Sequence, residues 1–327
     1  MTQINTLKVT TCNLCNFVEP PFAFYEMENI YSEKQWQQKT TWLKNTLREL
    51  GSDIIAFQEV FSIEALRALT AELGYEFFEY NQLPAIEADY IYSKPSLAFA
   101  SRFPMSRHAN LALCEPFSGE FSRPPLHVSL SIQGLGDFDL INVHLKSKRA
   151  TIEGEDSGDN VTEWLKELTG SALSTQLRQQ EALSLHAQIV GHKREAKRPF
   201  ILLGDFNNVL NADEFAPFRA HQRHRRRDSR AAIAPYYFHD SWKLIPQGTP
   251  VRDQDAIKPP RSHYYGELGQ RIDHILVSSE FVPEYEHSMY ELIEYQLTDK
   301  HIVNPRFGVD DVGSDHALVS ITFESRH

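Results

Sequence analysis

In the stretch Phe200-Ile201-Leu202-Leu203-Gly204-Asp205-Phe206-Asn207-Asn208, four consecutive apolar residues run into a glycine, an acid and two amides. So short an apolar run, closed by Gly and Asp, reads as a buried strand. The polar groups then emerge at its end, where a core can hold them rigidly. If the segment stays extended, the i, i+2 spacing of Asp205 and Asn207 puts both on one side. The same grammar recurs. Arg271-Ile272-Asp273-His274 opens an apolar run that ends at Val277, and Gly313-Ser314-Asp315-His316 precedes another from Ala317 to Phe323. Acids, amides and imidazoles delivered at several strand ends suit metal-assisted phosphoester hydrolysis.

Working outward, the remaining strand-like segments are residues 7–11, 54–57, 97–100, 127–132 and 138–143, bounded by Gly, Pro, Asp or Ser. Residues 127–132 and 138–143 flank Gly134-Leu135-Gly136 and read as a hairpin. Helical spacing appears in 33–50, which stops at Gly51, in 62–73 with Ser62 as N-cap, and in 171–190, which ends at Gly191. Helices alternating with strands and strand pairs predict a mixed, layered α/β fold. Residues 152–160 and 248–261 read as loops near the cleft, and 221–228 is a dense basic run that reads as a solvated helix face or loop, with a grip on phosphates as the alternative. All 327 residues fit one domain, since layered sheet proteins reach this length undivided.

A hydrophobic fraction of 41% supports a sizeable core, which excludes overall disorder. The formal charge of -11 gives no long-range attraction to polyanions, so a phosphate substrate must be drawn by local basic groups or a bound cation. Three cysteines argue against a disulfide framework. Cys12 and Cys15 form a C-x-x-C in an extended context without a helix start, and read as buried thiols rather than a redox pair. No run approaches the ~20 apolar residues of a membrane span, and no basic leader precedes one. The expectation is a cytoplasmic protein without integral membrane association, and the sequence points to no protein partner.

Hydrolysis of a phosphodiester needs a deprotonated water, positive charge on the nonbridging oxygens and help for the leaving alkoxide. Carboxylates and an amide oxygen suit a hard cation such as Mg²⁺, with Mn²⁺ or Ca²⁺ as alternatives. Seven motifs in order complete the picture: Thr11-Cys12-Asn13-Leu14, Phe57-Gln58-Glu59-Val60, Ser101-Arg102-Phe103-Pro104, Asn142-Val143-His144-Leu145, Gly204-Asp205-Phe206-Asn207, Arg271-Ile272-Asp273-His274 and Ser314-Asp315-His316. Together they resemble the motif series of the endonuclease/exonuclease/phosphatase superfamily, which includes deoxyribonucleases of the pancreatic type. Any one of them is weak; their number and order carry the resemblance.

That resemblance implies a four-layer sandwich of two sheets, mostly antiparallel, flanked by helices. It implies Glu59 as principal metal ligand, with Asn13 assisting and Asp315 adding a carboxylate directly or through water. His316 would contact the scissile phosphate, as general base or as a stabiliser of developing charge, and Asp273 would fix its tautomer. Asp205 would take or position a proton, while Asn207 and His144 would donate to phosphoryl oxygens. Ser101-Arg102-Phe103-Pro104 would be architectural, with Arg102 pairing a buried acid. His263 and His274 are left as surface or packing groups, and Lys146 and Lys148 as groups near a phosphate.

Members of that superfamily act on DNA, RNA, inositol phosphates, sphingomyelin or protein–DNA adducts, so the fold fixes the bond better than the molecule. Arg271-Ile272-Asp273-His274-Ile275-Leu276 departs from the Asp-Arg-Ile-Leu of the inositol phosphatases. The expected function is a Mg²⁺-dependent, nuclease-like phosphodiesterase on a phosphoester substrate such as nucleic acid. The alternatives are a sphingomyelinase-like lipid phosphodiesterase, another phosphatase, or a noncatalytic scaffold. For the lipid reading, the aromatic stretch Phe17 to Tyr25 is either a membrane-inserting loop or a substrate-shaping cover.

Overall fold

A computed structural model describes residues 5–150, 158–220, 230–245, 259–266 and 268–326. Twelve strands build two facing sheets. They are β1 (Thr6–Phe17), β2 (Ile54–Val60), β3 (Phe77–Tyr80), β4 (Ser96–Ser101), β5 (Ser106–Arg107), β6 (Leu126–Ile132), β7 (Gly136–His144), β8 (Phe200–Asp205), β9 (His239–Asp240), β10 (Asp273–Val277), β11 (Tyr290–Thr298) and β12 (Leu318–Ser325). One sheet has the order β11-β12-β1-β2-β4-β3, the other β9-β10-β8-β7-β6-β5. Each contains a single parallel pair, β1 with β2 and β7 with β8, and is otherwise antiparallel.

Alternation along the strands sorts their side chains between two environments. In β7, Phe138 and Leu140 point between the sheets, where they meet Val9, Ile54, Phe99 and Ile321. Its odd-numbered Ile141 and Val143 face outward against Ala182, Leu185 and Ile189 of helix α3 (Asn160–Ala196). On the other side, helices α1 (Glu33–Leu50) and α2 (Ile63–Ala71) cover the first sheet through Trp42, Leu43, Leu47, Leu66 and Leu69. The layers are therefore helix, sheet, sheet, helix, as expected.

Helix α1 has the predicted limits because both ends are chemically marked. Ser32 and Gln35 form a reciprocal capping box, and Gly51, at φ 62°, donates its N–H to the Leu47 carbonyl. Ser62 precedes α2 but does not cap it; its hydroxyl accepts the Glu19 N–H instead. Helix α3 is longer than 171–190 at both ends. Asp159 caps it by accepting from Thr162 N, and it runs through Gly191, where a missing side chain costs only ~1 kcal/mol. Beyond that glycine, buried Lys193 is tied to Glu280 at 2.7 Å. Of the two expected loops, residues 152–157 and 248–258 lie outside the described residues, as does the basic run 221–228. No helix among the described residues is long and apolar enough to cross a membrane.

The aromatic stretch Phe17 to Tyr25 runs from the end of β1 into a smaller sheet. Ala23–Phe24 joins Glu26–Ile30, Ala85–Glu87 and Ile91–Lys94 in a small four-stranded sheet. Phe22 packs 5.3 Å from Tyr92 and Tyr25 5.7 Å from Phe61 between ring centroids. Arg102 does not meet a buried acid. Its guanidinium lies 4.7 Å above the Tyr75 ring and donates to the Gly74 carbonyl.

Candidate active site

The two parallel pairs end at the same edge of the sandwich, and the polar motifs sit there. His144, Asp205 and Asp273 are side-by-side Cα partners on β7, β8 and β10. Gly204 permits this: its φ is +141°, and a Cβ there would stand 2.0 Å from the Val143 carbonyl oxygen. On the opposing sheet, both β1 and β2 shift register, between Asn13 and Phe17 and between Phe57 and Val60. Glu59 adopts φ 60° at its irregularity, as Cys15 and Asn16 take positive φ at theirs. Such bulges re-aim side chains, and these turn Glu59 toward the cleft.

Beneath the site, a buried polar bridge ties the sheets together. Gln58 Nε2 donates to Asn142 Oδ1 at 2.7 Å, and Asn142 Nδ2 donates to the carbonyls of Phe57 and Ala98. Above it lies a cleft of about 760 Å³ whose floor includes Glu59, His144, Asp205, Asn207, Asp315 and His316. Arg123, Lys146, Lys148 and Arg149 line its wall. The structure thus converges residues from six strand ends on one cavity. Of the expected set, only Asp273 and Asn13 stand behind the lining, each in contact with a residue that lines it.

His316 Nδ1 lies 2.9 Å from Asp273 Oδ2, while its Nε2 points toward Asp205 Oδ2 at 3.9 Å. The Ser262 hydroxyl donates to the same Asp273 oxygen at 2.6 Å and accepts the N–H groups of Ile272 and Asp273. Burial opposes a charge on His316, but the Asp273 and Asp205 carboxylates outweigh it and hold its pKa well above the usual imidazole value. Asp205 is buried, and that burial, with Asp273 nearby and against the pull of His316, lifts its pKa to about 7. Its Oδ2 also lies 3.4 Å from His144 Nε2. Burial, then the charges of Arg123 and His316, keep His144 neutral, and its Nδ1 has no hydrogen-bond partner.

Asn13 stands between two carboxylates, with Nδ2 3.4 Å from Glu59 Oε1 and 3.1 Å from Asp205 Oδ2. Its Oδ1 accepts the Cys15 N–H, so the amide nitrogen faces the carboxylates. Asn207 is not on an extended segment. It takes φ 57°, donates its backbone N–H to Asp205 Oδ1 and donates from Nδ2 to the Leu145 carbonyl. The chain turns as soon as β8 ends, so turn chemistry rather than strand alternation brings both residues to the cleft.

Three groups escaped the sequence reading. His263 packs its ring 4.8 Å from that of His316, and its Nε2 is 3.7 Å from Asp315 Oδ2. Burial works against ionisation of Asp315, but His263 and His316 overcome it and hold the carboxyl far below its ordinary range. Ser262 and Arg123 are the others. The signal for Ser262 and His263 was their place in a short hairpin, His263–Tyr265 with Leu268–Gln270, directly before the Arg271 motif. His274 is a packing group, buried 5.1 Å from the Phe206 ring.

The donor set fits a hard divalent cation. Glu59 and Asp315 are carboxylates on the cleft floor, and among the described residues neither has a Lys or Arg partner within ion-pair distance. Cys15, the thiol nearest to them, is pushed up to about 12 by burial, which suits oxygen rather than sulfur ligation.

In shape the chain is similar to the catalytic domain of human Nocturnin, solved with a bound sulfate, at 15% identity and a TM-score of 0.58 over 99% of this chain and 97% of that one. It is also similar to TDP2 from C. elegans, at 15% identity and 0.57 over 98% and 75%. An endonuclease/exonuclease/phosphatase from Beutenbergia cavernae matches at 16% and 0.54 over 98% and 72%. No curated protein matches the chain in sequence. The model of the endonuclease/exonuclease/phosphatase family matches residues 29–316, and to that family this chain belongs.

Proposed function

We propose that this chain is a divalent-metal-dependent phosphodiesterase of the nuclease type, acting on an anionic phosphoester in the cleft between the two sheets. The observation behind this reading is the convergence of Glu59, Asp205, Asp315 and the His316–Asp273 pair on one cavity walled by Arg123, Lys146 and Lys148. The family's named activities all break phosphoester bonds, and the cationic wall answers the charge problem set by a chain of net charge -11.

Glu59 and Asp315 are the groups to hold Mg²⁺, with Asn13 fastening Glu59 against Asp205. A divalent ion there supplies positive charge to the phosphate and acidifies bound water. His316 donates from Nε2 to a nonbridging oxygen, since its Nδ1 is committed to Asp273. Between the two roles open to it, the paired and charged imidazole favours stabilisation of developing charge over base catalysis. Asp205, between the two imidazoles, takes the proton of the attacking water. His144 and the second hydrogen of the Asn207 amide complete the set of donors toward the phosphoryl group.

The discriminating experiment is hydrolysis of bis-p-nitrophenyl phosphate with Mg²⁺, Mn²⁺ or Ca²⁺ and with EDTA. Metal-dependent turnover is expected; no turnover with any ion would leave a binding scaffold. Plasmid DNA, RNA and sphingomyelin compared under one metal condition assign the substrate class, and DNA or RNA cleavage is expected to dominate. His316→Ala should lower the rate by ~10² or more, the usual consequence of removing an essential acid–base group. Wild-type rates in that variant would overturn its role.

A further inference from the structure

A second cluster of metal-ligating side chains lies outside the cleft. His108, His127, Asp139 and His192 each bring one imidazole nitrogen or carboxylate oxygen to within 4.8 Å of the others. They come from four places in the chain: the end of β5, β6, β7 and the last turns of α3. His127 and Asp139 are buried, while His108 and His192 are half-buried, so the cluster is open to solvent on one side.

The site is independent of the catalytic one. Asp139 and His144 lie on the same strand, five positions and about 17 Å apart at 3.3–3.4 Å per residue. They also differ in parity. His144 faces inward with Asn142, whereas Asp139 shares the outer face with Ile141 and Val143, beneath α3.

The hydrogen bonding is incomplete in a telling way. Asp139 Oδ1 accepts from the Ser129 hydroxyl at 2.5 Å, and Arg198 approaches the same oxygen at 3.8 Å. Oδ2 is left to the imidazoles, 3.0 Å from His192 Nε2 and 3.7 Å from His127 Nε2. Yet neither of those nitrogens makes a hydrogen bond, although both are buried atoms. His108 Nε2 contacts the Ser129 hydroxyl at 2.6 Å, and the three rings crowd together with centroids 4.1, 4.9 and 4.6 Å apart.

We propose that His108, His127, His192 and Asp139 form a structural Zn²⁺ site that staples the end of α3 to the outer face of the second sheet. Three imidazoles and one carboxylate are a zinc-type donor set, poor for Mg²⁺, which prefers oxygen. Ligand atoms of four-coordinate zinc lie about 3.3 Å apart for bonds of ~2.0–2.1 Å, so the side chains need close in by only an ångström or so. Ser129 already holds Asp139 from behind, as an outer partner of a metal ligand does.

The test is metal content of the purified chain by mass spectrometry after dialysis against excess Mg²⁺, together with the visible spectrum of the Co²⁺-loaded protein. One retained zinc per chain and an intense four-coordinate Co²⁺ band are expected. His192→Ala and Asp139→Asn should lose both, with zinc affinity falling roughly a hundredfold or more. Glu59→Gln, at the catalytic cleft, should keep them. His192 is only half-buried, so its variant should fold; His108→Gln gives a second one, and circular dichroism checks both. A wild-type chain that retains no zinc, variants that bind it as tightly as wild type, or loss of zinc in Glu59→Gln would each overturn the proposal. None of these outcomes depends on phosphodiesterase turnover.

Discussion

His274 makes the fold acid-sensitive by an amount that can be worked out. The imidazole is buried beside Phe206, and its Nε2 contacts the Asn208 carbonyl at 3.1 Å. Burial, then the charge of Arg271, brings its pKa down from 6.5 to about 4. In the unfolded chain the ring gains a proton near pH 6.5, whereas in the fold it stays neutral until about pH 4. The neutral ring therefore contributes its full share above the unfolded pKa, and that share is lost as pH falls through this window. Linkage over 2.5 units gives about 3 kcal/mol in all, and about 2 kcal/mol between neutrality and roughly pH 5.

The perturbation is His274→Phe, which keeps an aromatic ring against Phe206 and removes the titration. Urea unfolding at several pH values in that range is the assay. The variant should be less stable at neutral pH by ~1 kcal/mol for the lost hydrogen bond. Its stability should then fall less steeply with acid than that of the wild type, by about 2 kcal/mol to pH 5, so the two curves cross and the variant is the more stable by ~1 kcal/mol near pH 5. Parallel curves would refute the reasoning, because they would mean His274 binds its proton equally in both states.

Gly204→Ala should destabilise the fold by ~3 kcal/mol or more in denaturant, since the new methyl would meet the Val143 carbonyl oxygen at 2.0 Å and φ is +141°. A loss under 1 kcal/mol would show that β7 and β8 part easily. Ser262→Ala removes the hydroxyl that holds Asp273, and kcat for bis-p-nitrophenyl phosphate should fall ~10-fold with KM little changed. Ser262→Thr should recover much of the rate, and an unchanged kcat in the alanine variant would remove Ser262 from the site. EDTA should abolish turnover and added Mg²⁺ restore it; persistence of hydrolysis in chelator would contradict a metal held by Glu59 and Asp315.

Much of this architecture was legible because local chemistry and global fold agree. Phe200–Asp205, Ile54–Val60 and the 126–144 hairpin are apolar runs with clear stops, and all three form strands. Glu33–Leu50 has a box at one end and a glycine at the other. What stayed hidden lacked such marks. Tyr290–Thr298 is an edge strand with charges at Glu291 and Glu294, so its apolar period is broken. The first turns of α3 show Val161, Trp164, Leu165 and Leu168 to solvent, and nothing in their packing announces a helix. At the site, motif residues were readable as a set, but His263 was not. It reaches His316 through a single bridge across the chain, a contact created by the tertiary fold.

The Gln58–Asn142 bridge has a mechanical consequence. Sliding one sheet over the other by a single residue would strand the amides of both residues, together with the Phe57 and Ala98 carbonyls, in a dry interior. The sandwich is thus pinned just under its reactive edge, as a hinge is locked by a bolt. Any widening needed to admit a bulky polymer must fall to the flanking segments, such as Lys146 to Ala150 and the His263 hairpin, while the spacing of Glu59 and His144 stays fixed.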